Sequence, residues 1–188
     1  MTRIISGKYK GRRISAPKKL PVRPTTDMAK EALFNILRHN FHFSGVRALD
    51  LFAGTGNISY ELGSRSCPDI TAVDGDSGCI RFINQTASEF EFPIHAIKSD
   101  VYKFIQRKGH QPYDIIFADP PYDFSTEDFE RVATLCFKHQ LLSEDGMLII
   151  EHSKQTKLDH VINHDNTRHY GGNAFSFFSL PETDDSEE

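Results

Sequence analysis

The most informative segment of the sequence is Tyr113-Asp114-Ile115-Ile116-Phe117-Ala118-Asp119-Pro120-Pro121-Tyr122. Its first six residues form a short apolar run, which predicts a buried strand of a parallel sheet. The last four residues then follow the carboxyl end of that strand, where open α/β sheets bind their ligands. Two consecutive prolines remove two backbone donors and stiffen the turn. A carboxylate, a carbonyl and an aromatic ring are thereby directed to one place, which suits a planar base with an exocyclic amine. The alternative is a strand that merely ends in a Pro-Pro turn.

A second strand end lies upstream and is followed by a glycine loop. Residues 46–51 are predicted to form a strand, and the loop after them reads Phe52-Ala53-Gly54-Thr55-Gly56-Asn57. Glycines let the backbone approach a ligand closely. A dinucleotide-binding loop would carry a third glycine where this chain has Ser59, and the acid Asp50 stands before the loop. Both features disfavour a pyrophosphate and favour a positively charged ligand. The ammonium and sulfonium groups of S-adenosylmethionine fit this requirement.

Two further acids follow predicted strands. Asp74 ends a strand and lies 24 residues after Asp50, close to the spacing at which a second-strand acid meets ribose hydroxyls. Asp100 follows the next strand and is a candidate contact for an adenine amine. Each acid taken alone is more often a helix cap or a turn residue. The ordered series of acids at strand ends is what favours a cofactor site.

Four segments together carry a resemblance to a known family. They are residues 50–56, residues 119–122, the basic N-terminal residues 3–13, and Arg23-Pro24-Thr25-Thr26-Asp27 followed by residues 31–37. The chain resembles the RsmD family of bacterial 16S rRNA guanine-N2 methyltransferases over about residues 1–180. One departure is Asp74, where members of the family usually carry glutamate.

The resemblance implies an α/β, Rossmann-like class I methyltransferase fold. Its mostly parallel, doubly wound sheet would have an antiparallel C-terminal strand and an N-terminal β-hairpin. The implied activity is methylation of the exocyclic N2 amine of a guanine in 16S rRNA. S-adenosyl-L-methionine would be the cofactor, S-adenosyl-L-homocysteine the product, and no metal would be needed. The implied partner is 16S rRNA, within the small ribosomal subunit or an assembly intermediate, and the protein would be a monomer.

Several alternatives stay open from the residues alone. The Asp-Pro-Pro-Tyr tetrapeptide serves adenine N6 as well as guanine N2, so an adenine-N6 methyltransferase acting on DNA or RNA is a second hypothesis. A non-catalytic RNA-binding assembly factor on the same fold is a third. An NAD-dependent oxidoreductase is a fourth, which tight NAD binding would favour.

The motifs and the resemblance together predict three groups of site residues. The catalytic group is Asp119, Pro120, Pro121 and Tyr122. The cofactor-binding group is Asp50, Phe52, Gly54, Thr55, Gly56, Asn57, Asp74, Asp100 and Val101. The RNA-binding group is Arg3, Lys8, Lys10, Arg12, Arg13, Arg23 and Thr25.

Charge is distributed unevenly along the 188 residues, although the net charge is only −4. Residues 1–38 contain ten Lys or Arg and only two acids. A basic arm on an acidic body is typical of phosphate binding, whereas the alternative is a solvated hairpin. We predict one domain over residues 1–181, with a basic hairpin and linker at 1–24 and the catalytic core at 25–181. Residues 182–188 are expected to be an acidic disordered tail.

Other features exclude several classes of protein. No apolar run approaches the roughly 20 residues that span a bilayer, and no signal-peptide core is present, so we expect a cytoplasmic protein without a membrane partner. Three scattered cysteines disfavour disulfides and zinc. His160 and His164 lack the glutamate of a metalloprotease helix, so we expect no metal site. The cluster of Phe175, Phe177 and Phe178 is expected to be core.

The predicted elements follow the same order along the chain. We expect a hairpin from 3–6 and 11–16, then a helix that starts at 25–27. Further strands are predicted near 46–51, 70–74, 94–98, 113–118 and 146–151, with helices near 57–65, 78–89, 101–107 and 127–139 and a final hairpin from 167–170 and 174–180.

Overall fold

The computed structural model describes residues 1–21 and 25–183 and contains one seven-stranded sheet. Its strands are β3 (Arg47–Leu51), β4 (Asp69–Asp74), β5 (Ile94–Lys98), β6 (Tyr113–Ala118), β7 (Leu142–Ser153), β8 (His164–Tyr170) and β9 (Asn173–Phe178). The spatial order is β5-β4-β3-β6-β7-β9-β8. Strands β3 to β7 are parallel, whereas β9 runs antiparallel to β7 and β8 antiparallel to β9. Two short strands, β1 (Thr2–Arg3) and β2 (Arg13–Ile14), pair with each other outside this sheet.

Five α-helices connect the strands within the described residues. They are α1 (Asp27–Asn40), α2 (Asn57–Ser64), α3 (Ser77–Phe90), α4 (Val101–Ile105) and α5 (Thr126–Lys138). Four of them begin at polar caps: the Thr26, Asp76, Asp100 and Ser125 side chains accept bonds from the first turns of α1, α3, α4 and α5. Such caps satisfy backbone donors that a helix cannot bond internally.

The sheet is buried on both faces, as a doubly wound fold requires. Ala48 packs in the core that contains Leu33 of α1 and Ile83 of α3. Its neighbour Leu49 packs in the opposite core with Val132 of α5. Successive strand residues point to opposite faces, so this alternation places α1 to α3 on one side of the sheet and α4 and α5 on the other. Within residues 1–21 and 25–183, no helix is long and apolar enough to cross a membrane.

The predicted fold class is confirmed, and several element boundaries differ. Strand β8 starts at His164 rather than 167, and β9 ends at Phe178 rather than 180. The N-terminal hairpin pairs only two residues per strand, because turns at Gly7 and Gly11 (φ of 87° and 83°) occupy the segment between them. Strand β7 starts at Leu142 rather than near 146, with a register shift opposite β6. Helix α4 ends at Ile105. The predicted phenylalanine cluster is buried in the core, as expected: Phe175, Phe177 and Phe178.

Candidate active site

The carboxyl ends of four parallel strands meet at one edge of the sheet. In the strand register Leu51 lies opposite Val73 and Ala118. Ala118 in turn lies opposite Ile150. The residues that directly follow these four positions therefore lie in one row across this edge: Phe52, Asp74, Asp119 and Glu151.

A cavity of about 530 Å³ opens at this edge. Six carboxylate residues line it, namely Asp50, Asp74, Asp76, Asp100, Asp119 and Glu151. No lysine or arginine among residues 1–21 and 25–183 lines it. The volume suits a ligand of drug size. Its charge favours a ligand that is cationic or rich in hydrogen-bond donors, so S-adenosylmethionine fits the cavity and a dinucleotide pyrophosphate does not.

Asp50 is the buried acid at the floor of this cavity, and only 2% of its surface is exposed. Its Oδ2 accepts hydrogen bonds from the Ser59 backbone nitrogen at 3.2 Å and from the Ser59 hydroxyl at 2.7 Å. Burial raises the pKa of Asp50 to about 7, and the Ser59 hydrogen bonds oppose that rise. A carboxylate in such a site is stabilised strongly by a nearby cation.

The glycine loop after β3 is held by the acid that ends β4. The Gly54 backbone nitrogen donates to Asp74 Oδ2 at 2.9 Å, and the Asp76 nitrogen donates to Asp74 Oδ1 at 2.8 Å. Gly56 begins α2 with a φ of 88°, and a Cβ there would lie 2.7 Å from the Tyr60 ring. Among the predicted cofactor-binding residues, all line the cavity except Gly56, which lies behind it against the core.

Asp100 has two roles that coexist. Its Oδ1 accepts from the Lys103 backbone nitrogen at 3.0 Å, so it is the N-cap of α4. It is also exposed and lines the cavity, beside Val101. The cap fixes this carboxylate after β5, which is three strands away in the sheet from β6, the strand before Asp119.

The Asp-Pro-Pro-Tyr tetrapeptide forms the other wall of the cavity, and all four residues line it. The Asp119 nitrogen donates to the Leu51 carbonyl at 3.3 Å, which ties the tetrapeptide to the end of β3. Pro120 is buried, whereas Tyr122 exposes 95% of its surface. An aromatic ring this exposed beside a cavity offers a free stacking face to a base.

Glu151 closes the cavity beside Asp119 and was not predicted as a site residue. It ends the apolar part of β7 and is only 4% exposed. The Thr25 hydroxyl donates to its Oε2 at 2.6 Å, and Asn173 Nδ2 donates to its Oε1 at 3.0 Å. The sequence did contain a signal for Glu151, because it is an acid at a strand end like Asp74 and Asp119.

His152, the residue after Glu151, also lines the cavity. Its Nε2 lies 2.7 Å from the Ser176 hydroxyl, and burial lowers the pKa of its imidazole. The ring is therefore neutral at physiological pH and adds no positive charge to the cavity.

The N-terminal hairpin is fastened to α2 by a buried polar network that the sequence did not reveal. Glu61 accepts from the Ile5 and Ser6 backbone nitrogens, each at 3.0 Å. The fully buried Lys30 lies 3.3 Å from Glu61 and donates to Asn57 Oδ1 at 2.9 Å. Burial lowers the pKa of Lys30, and the neighbouring Glu61 carboxylate opposes that effect. This network joins the hairpin to the helix that begins at the glycine loop.

The predicted RNA-binding residues occupy different places in the structure. Five of them are exposed on the hairpin, namely Arg3, Lys8, Lys10, Arg12 and Arg13. Arg3 also pairs with Asp27 at 3.0 Å, and Thr25 is buried against Glu151. Arg23 lies outside the described residues.

The tip of the hairpin rests on the far end of α2. The Lys8 backbone nitrogen donates to the Ser64 carbonyl at 2.8 Å. A Cβ on Gly7 would lie 1.9 Å from that same carbonyl, so this close approach requires glycine. From Asn57 at the cavity to Ser64 the helix axis rises about 10 Å. The basic tip is thus separated from the cavity by the length of α2.

Carboxylates gathered in one place are also the usual ligands of hard metal ions. Across the part of the chain that the structure describes, no group of three or more His, Cys, Asp or Glu is placed to hold a metal ion. The carboxylates of the cavity are instead occupied by helix caps and loop hydrogen bonds, as at Asp74 and Asp100.

Comparison with known proteins agrees with this geometry. The family model described as Conserved hypothetical protein 95 matches residues 2–179. The Bacillus subtilis protein YlbH is 34% identical over 164 residues, which cover 85% of this chain and 87% of YlbH. Ribosomal RNA small subunit methyltransferase D of Escherichia coli is 29% identical over 160 residues, with 85% of this chain and 78% of that protein covered.

Solved structures show the same fold. The Escherichia coli protein yhhF superposes with a TM-score of 0.82 at 25% identity, covering 95% of this chain and 98% of that one. The Thermus thermophilus 16S rRNA N2 G1207 methyltransferase RsmC, solved with AdoMet and guanosine, gives a TM-score of 0.67 at 18% identity, covering 86% of this chain and 45% of that one. Together, the matching family model and these relatives establish that the chain belongs to the RsmD family of S-adenosylmethionine-dependent methyltransferases.

Proposed function

We propose that this protein methylates the exocyclic N2 amine of a guanine in 16S rRNA of the small ribosomal subunit. The observation that carries this proposal is one acidic cavity with a cofactor-like wall at Asp50 and Asp74 and a base-binding wall at Asp119 and Tyr122. Relatives named Ribosomal RNA small subunit methyltransferase D support an rRNA substrate. A structural neighbour solved with both AdoMet and guanosine supports the pairing of these two ligands in such a cavity.

The cofactor wall is suited to hold a cation at a fixed place. Bound S-adenosylmethionine supplies a methyl group activated by a sulfonium. Asp50 attracts the ammonium group, because its buried carboxylate is poorly solvated and gains from a positive neighbour. Asp74 accepts from the ribose hydroxyls with the lone pairs that its loop hydrogen bonds leave available. Asp100 accepts from the adenine amine.

The base-binding wall acts on the amine of the target base. That nitrogen is a poor nucleophile because its lone pair is delocalised into the ring. Asp119 and the Pro120 carbonyl accept hydrogen bonds from its two N–H groups, which increases electron density on the nitrogen and fixes its direction. Tyr122 stacks on the base. Most of the rate enhancement then comes from orientation and electrostatics, and no strong base is needed because the amine proton becomes acidic as the nitrogen is alkylated.

The RNA is held by the exposed cations of the hairpin, which contact phosphates without selecting a sequence. Because the hairpin tip lies about one α2 length from the cavity, the bound RNA extends well beyond the target nucleotide. The base itself reaches Tyr122 only when unpaired or flipped out, so the target lies in a loop or an open helix end.

Nucleoside mass spectrometry of 16S rRNA from a strain lacking the gene tests this proposal. We expect N2-methylguanosine to decrease by one residue per rRNA, and to return when the gene is restored. Restoration with an Asp119→Asn variant should fail and so serves as the matched control. Loss of N6-methyladenosine would show that the base is adenine, and an unchanged nucleoside profile would show a non-catalytic role.

A further inference from the structure

We infer that a basic groove along the edge strand β5 binds phosphates of the RNA substrate beside the target nucleotide. The groove lies between β5 and the segment that leads from α4 to the start of β6. It is separate from the N-terminal hairpin, and none of its residues was among those predicted to bind RNA. The inference rests on the proposed function, because the substrate RNA is what brings phosphates to this edge of the sheet.

The groove has the opposite charge to the cofactor cavity. Its volume is about 630 Å³, and in the part of the chain that the structure describes no aspartate or glutamate lines it. Its lining includes two arginines, two histidines and two aromatic rings, namely Arg47, Arg107, His95, His110, Phe104 and Tyr113. Proteins use guanidinium groups to bind phosphates and aromatic rings to stack on unpaired bases. This lining therefore suits a nucleic-acid strand and disfavours a cationic ligand.

Arg107 is the arginine of this groove that is available to a ligand. Its guanidinium carbon lies 5.4 Å from the centre of the Phe104 ring, and its Nη2 donates to the Ser99 hydroxyl at 3.4 Å. Ser99 lines the cofactor cavity, so Arg107 stands where the groove reaches that cavity. Arg47, by contrast, is paired with Asp69 at 2.9 Å. Among the described residues Arg107 has no carboxylate partner, so its charge is available to a phosphate.

Three lysines add to the positive charge around the groove. Lys98, Lys103 and Lys108 are exposed, and none of them pairs with a carboxylate within residues 1–21 and 25–183. With Arg107 they make four cations in residues 95–110, where the one acid, Asp100, caps α4. The rest of the chain after residue 38 contains 8 Lys or Arg and 23 acids. A local cluster of unpaired cations on an otherwise acidic body is typical of phosphate binding.

The groove is close enough to the catalytic wall to hold the strand that carries the target base. Strand β5 has five residues, so the groove extends about 16 Å along it toward the cavity. Ser99 follows β5 and Asp119 follows β6, and three strand spacings of about 4.8 Å separate these strands. An RNA strand of a few nucleotides spans that distance. A base stacked on Tyr122 therefore leaves nearby phosphates of its own strand at Arg107.

The hairpin and the groove contact different parts of the RNA. The hairpin packs on the end of α3, where the Tyr9 ring meets the Phe90 ring at 5.1 Å. Two exposed acids, Glu89 and Glu91, stand at that end of α3, so the basic surface of the hairpin does not continue into the groove. Helix α4 packs on the other side of the sheet. An RNA bound at both places therefore straddles the β5 edge, with its target nucleotide at the cavity.

The salt dependence of RNA binding tests this inference. The ligand is a 16S rRNA fragment that contains the mapped target nucleotide, and the variant is Lys103→Gln with Arg107→Gln. The matched control is Lys138→Gln with Arg168→Gln. Lys138 is an exposed lysine in the last turn of α5, as Lys103 is in α4, and Arg168 is an exposed arginine on β8 at the opposite edge of the sheet.

The plot of log K against log salt concentration should become shallower by about 1.4 in the groove variant, the value for two contacts to single-stranded phosphates. Relative to a reference at 1 M salt, that change corresponds to about 25-fold weaker binding at 0.1 M salt. The control should keep the wild-type slope. Neither Lys103 nor Arg107 lines the cofactor cavity, so S-adenosylhomocysteine affinity and kcat should hold while KM for RNA rises.

A crosslinking measurement locates the RNA without removing several cations. The native cysteines Cys67, Cys79 and Cys136 are buried, so a thiol-directed photo-crosslinker labels an added surface cysteine selectively. We expect Lys108→Cys to crosslink to nucleotides beside the target. Lys138→Cys, the control on the end of α5, should give only background.

Two results would overturn the inference: a salt slope in the folded groove variant equal to that of its control, or no crosslink from Lys108→Cys above that from Lys138→Cys. If the melting temperature shows that the double variant is unfolded, the crosslink decides alone. A wild type that methylates guanine N2 while either result is found leaves the proposed function intact and removes the groove. A wild type that does not methylate the RNA contradicts the proposed function itself, and this is seen without any variant.

Discussion

Lowering the pH should weaken cofactor binding through Asp50. The carboxylate is buried and its pKa is raised from 3.8 to about 7, chiefly by burial. Only the ionised form attracts the ammonium group of the cofactor. In the free protein the binding-competent fraction therefore decreases as the pH falls through 7, and apparent affinity decreases in proportion.

The size of this effect follows from the titration of one group. With a pKa of about 7, about half of the Asp50 carboxylates are ionised at pH 7 and about 1% at pH 5. The dissociation constant for S-adenosylhomocysteine should thus rise about 50-fold between these values. The ammonium group of the ligand stays protonated throughout this range, so its own titration does not contribute.

Isothermal titration calorimetry from pH 5 to 7 measures this profile, and two variants isolate its cause. Asp50→Asn should bind weakly at pH 7 with little dependence on pH. Ser59→Ala removes a hydrogen bond that lowers the pKa of Asp50, so its profile should shift upward by about one pH unit. An affinity that is constant from pH 5 to 7 in the wild type, or a profile that persists in Asp50→Asn, would refute the role given to Asp50.

Three further perturbations test other parts of the structure. Lys30→Met leaves Glu61 buried with one fewer cation and should lower the free energy of unfolding in urea by about 3 kcal/mol. Adding Glu61→Leu to that variant should restore part of the loss, whereas an unchanged stability of Lys30→Met would show that the buried ion pair does not stabilise the fold. Asp119→Asn should lower turnover by about 100- to 1,000-fold and change S-adenosylhomocysteine affinity less than about twofold, and unimpaired turnover would remove Asp119 from the mechanism. Arg12→Glu with Arg13→Glu should weaken RNA binding steeply and flatten its salt dependence while cofactor affinity holds, and an unchanged salt slope would place the RNA on another surface.

The strand-end acids show how much of the site the sequence could predict. Parallel strands end at one edge of a sheet, so Asp50, Asp74 and Asp119 could be placed together from local patterns alone. Glu151 followed the same pattern, but a single acid at the end of a long apolar strand has many other uses. Its importance depends on Thr25, which lies far away in the chain and forms the contact only in the folded protein.

Pairings across the fold could not be predicted in this way. The buried contact of Lys30 with Glu61 joins two helix surfaces, and each residue alone resembles an ordinary exposed charge. The packing position of the N-terminal hairpin could not be predicted from the sequence either, because it depends on the contact of Gly7 with the end of α2. Arg3, predicted from the sequence to bind RNA, is exposed and also pairs with Asp27, a partner that no local pattern indicates. Local patterns specify elements and strand ends, whereas partners distant in sequence become evident only in three dimensions.

Methylation of guanine N2 is measured most directly with purified protein, small-subunit rRNA from the deletion strain and S-adenosylmethionine that carries an isotope-labelled methyl group. Digestion to nucleosides and mass spectrometry then identify the labelled product. We expect labelled N2-methylguanosine at one site, and none with Asp119→Asn. Label in N6-methyladenosine, or no label in either free rRNA or assembled subunits, would contradict it.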